Sequence, residues 1–267
     1  MNASTHLLSD DELGALGADA GLTGASLVLA SLDDGRRAAW RADAAITPAS
    51  MIKVAIALGL AIRADREPGL IDRTVVVDPA DVTFTDAPTP FMAGAVASLG
   101  ALACGMIADS DNVATNVLIS ALDRMAIDAD LAAAGLRATA VRRKLSGRVP
   151  LIDDPGSLGR NAHPAVDAAL AFAEIARRND PWLLAALRAQ RWNEKLSRGW
   201  HAGDAFAHKT GDTDEASHDG GILTLPGGAR YVVVAYSTLP TGPAADDAHA
   251  AFARALRPRL ATAPASP

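Results

Sequence analysis

Residues 205–236, AFAHKTGDTDEASHDGGILTLPGGARYVVVAY, determine the predicted fold. Three segments within them, 205–210, 221–225 and 231–236, have the alternating or continuous apolar pattern of strands. Pro226-Gly227-Gly228 supplies the turn before the last segment, whose run of valines is typical of a buried strand. This part of the chain therefore predicts strands that belong to a sheet.

A second group of strand signals lies near the start of the chain. Residues 24–32 are largely apolar, Asp33-Asp34-Gly35 forms a turn and residues 36–41 return, which is typical of a hairpin. Helical patterns cover residues 8–16, 50–63, 96–107, 114–125, 164–178, a segment opened by Pro181, and 246–256. Strands at both ends with helices between them predict an α/β fold of the α+β type, with one antiparallel sheet and an all-helical insertion.

The composition limits the classes of function. The 267 residues suffice for one sizeable domain, and the net charge of −6 disfavours nucleic acid or an anionic membrane as a partner. Cys104 is the only cysteine, which excludes an intramolecular disulfide. His163 and His201 have no partner at metal-ligand spacing, so we expect no metal and no cofactor. We expect a monomer.

This sequence contains no visible export signal. No Lys or Arg precedes Arg36, and Asp10-Asp11-Glu12 falls where a signal peptide needs apolar residues. The apolar runs, such as residues 54–58, are too short to span a bilayer. We therefore expect a cytoplasmic protein, or a periplasmic or secreted one if a leader has been removed.

Three short motifs carry the chemistry: Ser50-Met51-Ile52-Lys53, Ser110-Asp111-Asn112 and Lys209-Thr210-Gly211. Ser50 begins a predicted helix, whose dipole favours developing negative charge, and Lys53 lies one turn further on the same face. Each motif alone also has an ordinary interpretation as a helix start or a turn. Sixty residues separate Ser50 from Ser110 and 99 separate Ser110 from Lys209, and the joint order is far more specific than any single motif.

The three motifs in this order resemble the active-site signature of the penicillin-recognising serine hydrolases, which include the class A β-lactamases and the penicillin-binding proteins. The resemblance covers residues 24–256 and implies a single domain with a five-stranded antiparallel sheet flanked by helices. It assigns residues 1–48 and 203–267 to a sheet lobe and residues 49–202 to an all-α lobe. The active site is expected in the cleft between the two lobes.

The resemblance implies that Ser50 is the nucleophile, that Lys53 is its base and that Ser110 relays a proton to the leaving group. A lysine acts as a base only when it is neutral, so Lys53 must be desolvated or close to other positive charge. The backbone N–H groups of Ser50 and of the residue after Gly211 would form the oxyanion hole. The substrate-binding residues implied in this way are Asn112, Lys209, Thr210, Gly211 and Asp212.

One family residue is absent. A class A β-lactamase keeps a glutamate that activates the deacylating water, but no glutamate occurs here between Ser110 and Glu174. Asp153 and Asp154 are the only acids in the aperiodic loop 141–163, and an Asp-Asp-Pro-Gly turn is their ordinary interpretation.

We retain three candidate deacylation residues in this loop: Asp153, Asp154 and Asn161. Their positions do not match the family pattern closely. Counting back from Pro164, which resembles the proline that opens the next helix in the family, places the glutamate position nearer Leu145 than the aspartate pair.

A second departure follows the third motif. No Lys or Arg occurs between Lys209 and Arg230, where many class A enzymes place an arginine that pairs with the β-lactam carboxylate. His218 is the only cationic candidate in that segment, and Lys195 and Arg198 are candidates from the preceding helix end. Because the segment is otherwise acidic, we expect the cleft to repel an anionic β-lactam and to accept a neutral or cationic small-molecule acyl substrate.

These observations predict a serine acyl-hydrolase or acyl-transferase that attacks an ester, amide or lactam carbonyl through a Ser50 acyl-enzyme. Two alternatives stay open: an authentic class A-type β-lactamase with an altered deacylation loop, and a β-lactam-binding or sensor protein that is acylated without turnover. Three routes of deacylation also stay open, which are a second use of Lys53, help from Asp153 or Asp154, and transfer to another nucleophile.

Overall fold

The computed structural model describes residues 7–148 and 150–260. The strands in this part of the chain are β1 Ser26–Ser31, β2 Arg37–Trp40, β3 Thr74–Val76, β4 Val96–Ser98, β5 Ala205–Asp212, β6 Ser217–Thr224 and β7 Arg230–Ser237. β3 and β4 form a small separate pair, and the other five form one antiparallel sheet in the order β2-β1-β7-β6-β5. The predicted α/β fold, with one sheet built from both ends of the chain, is confirmed.

The helices of the described chain are α1 Asp10–Asp19, α2 Ile52–Ala64, α3 Leu99–Ala108, α4 Asn112–Leu122, α5 Arg124–Ala133, α6 Ala165–Arg178, α7 Pro181–Arg188, α8 Leu196–Gly199 and α9 Pro243–Leu260. The start of α1 is fixed by a capping box in which the side chains of Ser9 and Glu12 each bind the other's backbone N–H. Pro181 opens α7 as predicted, whereas Pro164 lies just before the first residue of α6.

Two predicted helices have different bounds. The segment 96–107 becomes helical only at Leu99, because residues 96–98 pair with β3 instead. The segment 114–125 is divided at Asp123, which has a left-handed φ of 65° and caps the start of α5 by accepting a hydrogen bond from Ala126 N. Its first half begins earlier than predicted, at Asn112, where Asp111 caps α4.

The sheet is covered on both faces. Val232, Val234 and Tyr236 of β7 pack into a core shared with α2 and α6, whereas Tyr231 and Val233 pack into a core shared with α1 and α9. Burial on both faces explains the continuous apolar run of this strand. α6 contacts β1, β6 and β7 as well as α2. The division of the chain into two lobes at residues 48 and 203 stays a prediction. Within the described residues, none of the helices combines the length and the apolarity that a bilayer crossing requires.

We predict that Gly221→Ala destabilises the fold by about 1–3 kcal/mol, because a Cβ there would lie 2.3 Å from Ala207 O and 2.6 Å from His208 Cα on the paired strand β5. Chemical denaturation measures the loss. Gly227→Ala is the matched control, since a Cβ at Gly227 meets nothing within 4 Å. Equal stability of the two variants would contradict the close approach of β5 and β6.

Candidate active site

Ser50 lies in a single 3₁₀ turn, Ala49–Met51, that leads directly into α2. Ala49, the residue before it, has a left-handed φ of 48°, a conformation that costs a non-glycine residue about 1–2 kcal/mol. Ser50 is half-buried, and its hydroxyl makes no hydrogen bond within the described residues. The chain thus holds a strained turn that leaves the Ser50 hydroxyl available to a substrate.

Lys53 lies one turn further along α2 and is fully buried. Its Nζ is 2.8 Å from Asn112 Oδ1, 2.6 Å from the Ser110 carbonyl oxygen and 3.1 Å from Ser110 Oγ. Burial, together with the positive charge of Lys209, holds the pKa of Lys53 well below its ordinary value. No carboxylate bonds to this amine in the described chain, although the charges of Asp111 and Asp86 oppose the shift.

Ser110 occupies the turn between α3 and α4 with a left-handed φ of 57°. Its Oγ accepts hydrogen bonds from two amines, Lys53 Nζ at 3.1 Å and Lys209 Nζ at 3.0 Å. Lys209 Nζ also donates to Thr210 O at 2.8 Å. Burial lowers the pKa of Lys209 to about 7, with Asp212 opposing the shift and Lys195 adding to it. The Ser110 hydroxyl therefore lies between two amines that both lose protons more readily than an exposed lysine.

Strand β5 brings the third motif against the Ser50 turn. A Cβ on Gly211 would lie 3.1 Å from both Ser50 N and Met51 N, so a side chain at this position would crowd the backbone of the turn. Thr210 is buried beside it. The Asp212 side chain accepts hydrogen bonds from Lys195 Nζ at 2.5 Å and Ser217 Oγ at 3.0 Å. Burial raises the pKa of Asp212, but the charge and hydrogen bond of Lys195, with hydrogen bonds from Ser217 and Thr241, together lower it below its ordinary value.

The Asn112 side chain is held from both ends. Its Oδ1 accepts from Lys53 Nζ, and its Nδ2 donates to Phe84 O at 2.9 Å. These two contacts fix the orientation of the amide. Lys53, Ser110, Asn112 and Lys209 thus form one hydrogen-bonded group, and Gly211 places the Ser50 backbone beside it.

Leu145 lies in the loop between α5 and α6 and is fixed by its backbone. Leu145 N donates to Asn116 Oδ1 at 2.7 Å, and Asn116 Nδ2 donates to Leu145 O at 2.9 Å. Asn116 is buried on α4, one turn after Asn112, and sequence analysis did not select it as a functional residue. The one sequence feature that could have indicated Asn116 is its spacing of four residues from Asn112, which places both amides on one helix face.

The three loop candidates make other contacts. Asp154 binds the Arg124 guanidinium through both oxygens, at 2.8 and 3.2 Å, and accepts from Lys144 N at 2.8 Å. The Asn161 side chain holds the loop by bonding to the backbone of residues 142 and 143. Asp153 lines an open cavity with Pro79 and Pro155. Within the described chain, hydrogen bonds link none of the three to Ser50, Lys53 or Ser110.

The three candidate cations near β5 are also engaged. His218 Nε2 donates to Thr47 O at 2.7 Å, and its ring stacks on Tyr236 with 4.1 Å between centroids. Burial lowers the pKa of His218 to about 4, so the ring is neutral at pH 7 and supports the segment that precedes Ser50. Lys195 pairs with Asp212, and Arg198 pairs with Asp247.

Solved structures with the same fold include β-lactamases and a penicillin-binding protein. A β-lactamase from Sphaerobacter thermophilus is 23% identical, with a TM-score of 0.81 over 97% of this chain and 100% of that one. A leucine-to-glutamate mutant of PBP-A, solved as an acyl-enzyme complex with penicillin G, is 23% identical, with a TM-score of 0.77 over 93% of this chain and 97% of that one. A mutant class A β-lactamase of the last common ancestor of Gram-negative bacteria is 25% identical, with a TM-score of 0.78 over 92% and 96%.

A comparison with curated proteins found no match. The model of the β-lactamase enzyme family, in contrast, matches residues 10–260. This match spans nearly all of the chain, including the three motifs and the loop between α5 and α6, and it agrees with the fold of the solved structures. The resemblance stated from the motifs is confirmed, and the chain belongs to the β-lactamase enzyme family.

Proposed function

We propose that this chain is a serine acyl-hydrolase or acyl-transferase in which Ser50 forms an acyl-enzyme with an ester, amide or lactam. The observation that carries the proposal is the position of the Ser110 hydroxyl, between Lys53 Nζ at 3.1 Å and Lys209 Nζ at 3.0 Å. Burial lowers the pKa of both amines, which is what a proton relay near neutral pH requires.

Acylation follows from this arrangement. Ser50 Oγ attacks the carbonyl carbon, and its proton passes to neutral Lys53, either directly or through Ser110. Ser110 then delivers a proton to the leaving group, and Lys53 or Lys209 replaces it. The N–H groups of Ser50 and Asp212 stabilise the oxyanion, since Gly211 allows β5 to approach the Ser50 backbone.

Deacylation by water is expected to be slow. Leu145, whose backbone Asn116 holds at 2.7 and 2.9 Å, carries no group that can take a proton from water. Asp154 is bound to Arg124. This ion pair stabilises the carboxylate and lowers its pKa, so Asp154 takes a proton from water less readily. These contacts favour transfer to another nucleophile, or a long-lived acyl-enzyme, over an authentic β-lactamase.

The acyl substrate that this site fits best carries little negative charge. Lys195 and Arg198 are paired with carboxylates, and His218 is neutral. Among these candidates, Lys209 therefore remains as the cation for an anionic substrate group, and its pKa of about 7 leaves it only partly charged. Binding of β-lactams is expected to be weak for this reason.

Ser50→Ala should abolish covalent labelling while leaving the fold intact, because it removes only the attacking oxygen. The measurement is intact mass after incubation with a penicillin and with a chromogenic cephalosporin, alongside thermal unfolding. An adduct of undiminished yield on the alanine variant would contradict the assignment of the nucleophile.

Leu145→Glu should shorten the lifetime of the acyl-enzyme about 100-fold or more, since a general base contributes on the order of 100- to 10,000-fold. Asn116 bonds only the backbone at this position, so the loop should keep its place. The neighbouring PBP-A structure is itself a leucine-to-glutamate mutant that carries penicillin G as an acyl-enzyme. The lifetime is followed by intact mass after removal of excess β-lactam.

Leu145→Gln is the matched control for that experiment, because glutamine has the size of glutamate without its basic carboxylate. Its acyl-enzyme should persist as long as that of the wild-type chain. Equal acceleration by Glu and Gln would show that loop disturbance, and not base catalysis, releases the acyl group.

The second-order rate of acylation by a carboxylate-bearing β-lactam should fall as the pH rises through about 7, because Lys209 then loses its charge. A neutral ester should show a smaller fall, since it has no carboxylate to bind and depends on Lys209 only through the Ser110 relay. Rates are measured between about pH 5.5 and 9 with both substrates. The same decline for both would mean that Lys209 does not bind the carboxylate.

A further inference from the structure

The segment between α7 and α8, residues 190–195, is fixed at one end to α3. Gln190 is buried, and its Nε2 donates to Ile107 O at 3.1 Å. Arg191 N donates to Ala108 O at 3.0 Å, and the Arg191 guanidinium binds the Asp109 carboxylate at 2.8 Å. These three acceptors belong to the last residues before Ser110. We refer to residues 190–195 as the strap.

The other end of the strap is fixed to the sheet. Asn193 Oδ1 lies 3.1 Å from His208 Nε2, and His208 Nδ1 lies 2.8 Å from Asp219 Oδ1. Asp219 also accepts from Leu196 N at 3.0 Å, immediately after the strap. His208 and Asp219 are almost fully buried, and His208 is the residue before Lys209 on β5.

Hydrogen bonds inside the strap connect its two ends. Asn193 Nδ2 donates to Gln190 O at 2.8 Å, which orients the amide so that its oxygen faces His208. Trp192 N donates to Gln190 Oε1 at 3.2 Å. A continuous path therefore runs from the carbonyl of Ile107, through Gln190 and Asn193, to the side chain of His208.

The geometry matters because the two ends of this path lie beside the residues that carry the Ser110–Lys209 contact. β5 is the last strand of the sheet and pairs with β6 alone, so its outer side is not held by a ladder. Ser110 lies between two helices in a left-handed conformation. The Lys209 Nζ to Ser110 Oγ distance of 3.0 Å spans the gap between these two elements.

We propose that Gln190 and Asn193 are positioning residues for the reaction, and that the strap sets the separation between Ser110 and Lys209. They touch neither the nucleophile nor the relay hydroxyl. Their effect passes through α3 on one side and through His208 on the other. The use of acylation as a readout rests on the proposed function, whereas the mechanical claim does not.

Gln190→Met and Asn193→Ala test the proposal. A displacement of about one ångström at Ser110 or Lys209 should lower the rate of Ser50 acylation by roughly 10- to 100-fold. The midpoint of the pH profile should also rise from about 7, because Lys209 gains solvent and its pKa returns towards its ordinary value. A purely structural role would lower the melting temperature without moving this midpoint. Asn193 is exposed, so its variant remains informative if Gln190→Met does not fold.

Tyr231→Phe is the matched control. It removes one buried hydrogen bond, from Tyr231 Oη to Leu260 O at 3.1 Å, between β7 and α9. This variant should keep the acylation rate and the pH midpoint of the wild-type chain. Unchanged rate and midpoint in both strap variants would overturn the proposal.

Amide hydrogen exchange separates failure of the strap from failure of the proposed function. In both strap variants, exchange should accelerate in residues 205–212 and 107–112 and stay unchanged in β1. If the wild-type chain forms no adduct with any probe, the proposed function fails, and exchange alone decides the strap. If exchange stays at the wild-type rate in these segments, the strap does not position them and the inference is wrong.

Discussion

The site depends on one constraint, which is that two lysine amines are buried around a single hydroxyl. Removing an ammonium group from water is costly, and the chain does not offset that cost for Lys53 with a bonded carboxylate in its described part. The amine is held by neutral oxygens of Ser110 and Asn112 instead. Burial and the charge of Lys209 then lower the pKa of Lys53, a shift that a bonded carboxylate would have opposed.

Two strained turns, each followed by a well-packed helix, hold the residues around this hydroxyl. Ala49 and Ser110 both have left-handed φ, and each precedes a helix whose apolar face is buried in the core. Packing of α2 and α4 can offset about 1–2 kcal/mol of backbone strain at each turn. His218 adds support from the sheet, since it bonds to Thr47 O just before the Ser50 turn.

Much of this organisation could be predicted from the sequence, because the longer strands and helices have a clear apolar periodicity. The strands 205–210 and 231–236 have strong local patterns, and the three motifs mark the site residues directly. β3 and β4 were missed because three residues are too few for a period. The contacts of Asn116 with Leu145, and of Asp154 with Arg124, join segments about 30 residues apart, and neither leaves a local signal.

The same long-range contacts underlie the slow deacylation that the proposed function expects. Asn116 holds position 145 through backbone N–H and C=O groups, which every residue except proline possesses. These two hydrogen bonds are therefore open to any side chain at this position except proline, and a leucine there supplies no base while keeping them. In the proposed mechanism, acylation and deacylation consequently depend on separate parts of the chain. The lysines and Ser110 serve the first, and the side chain at position 145 decides the second.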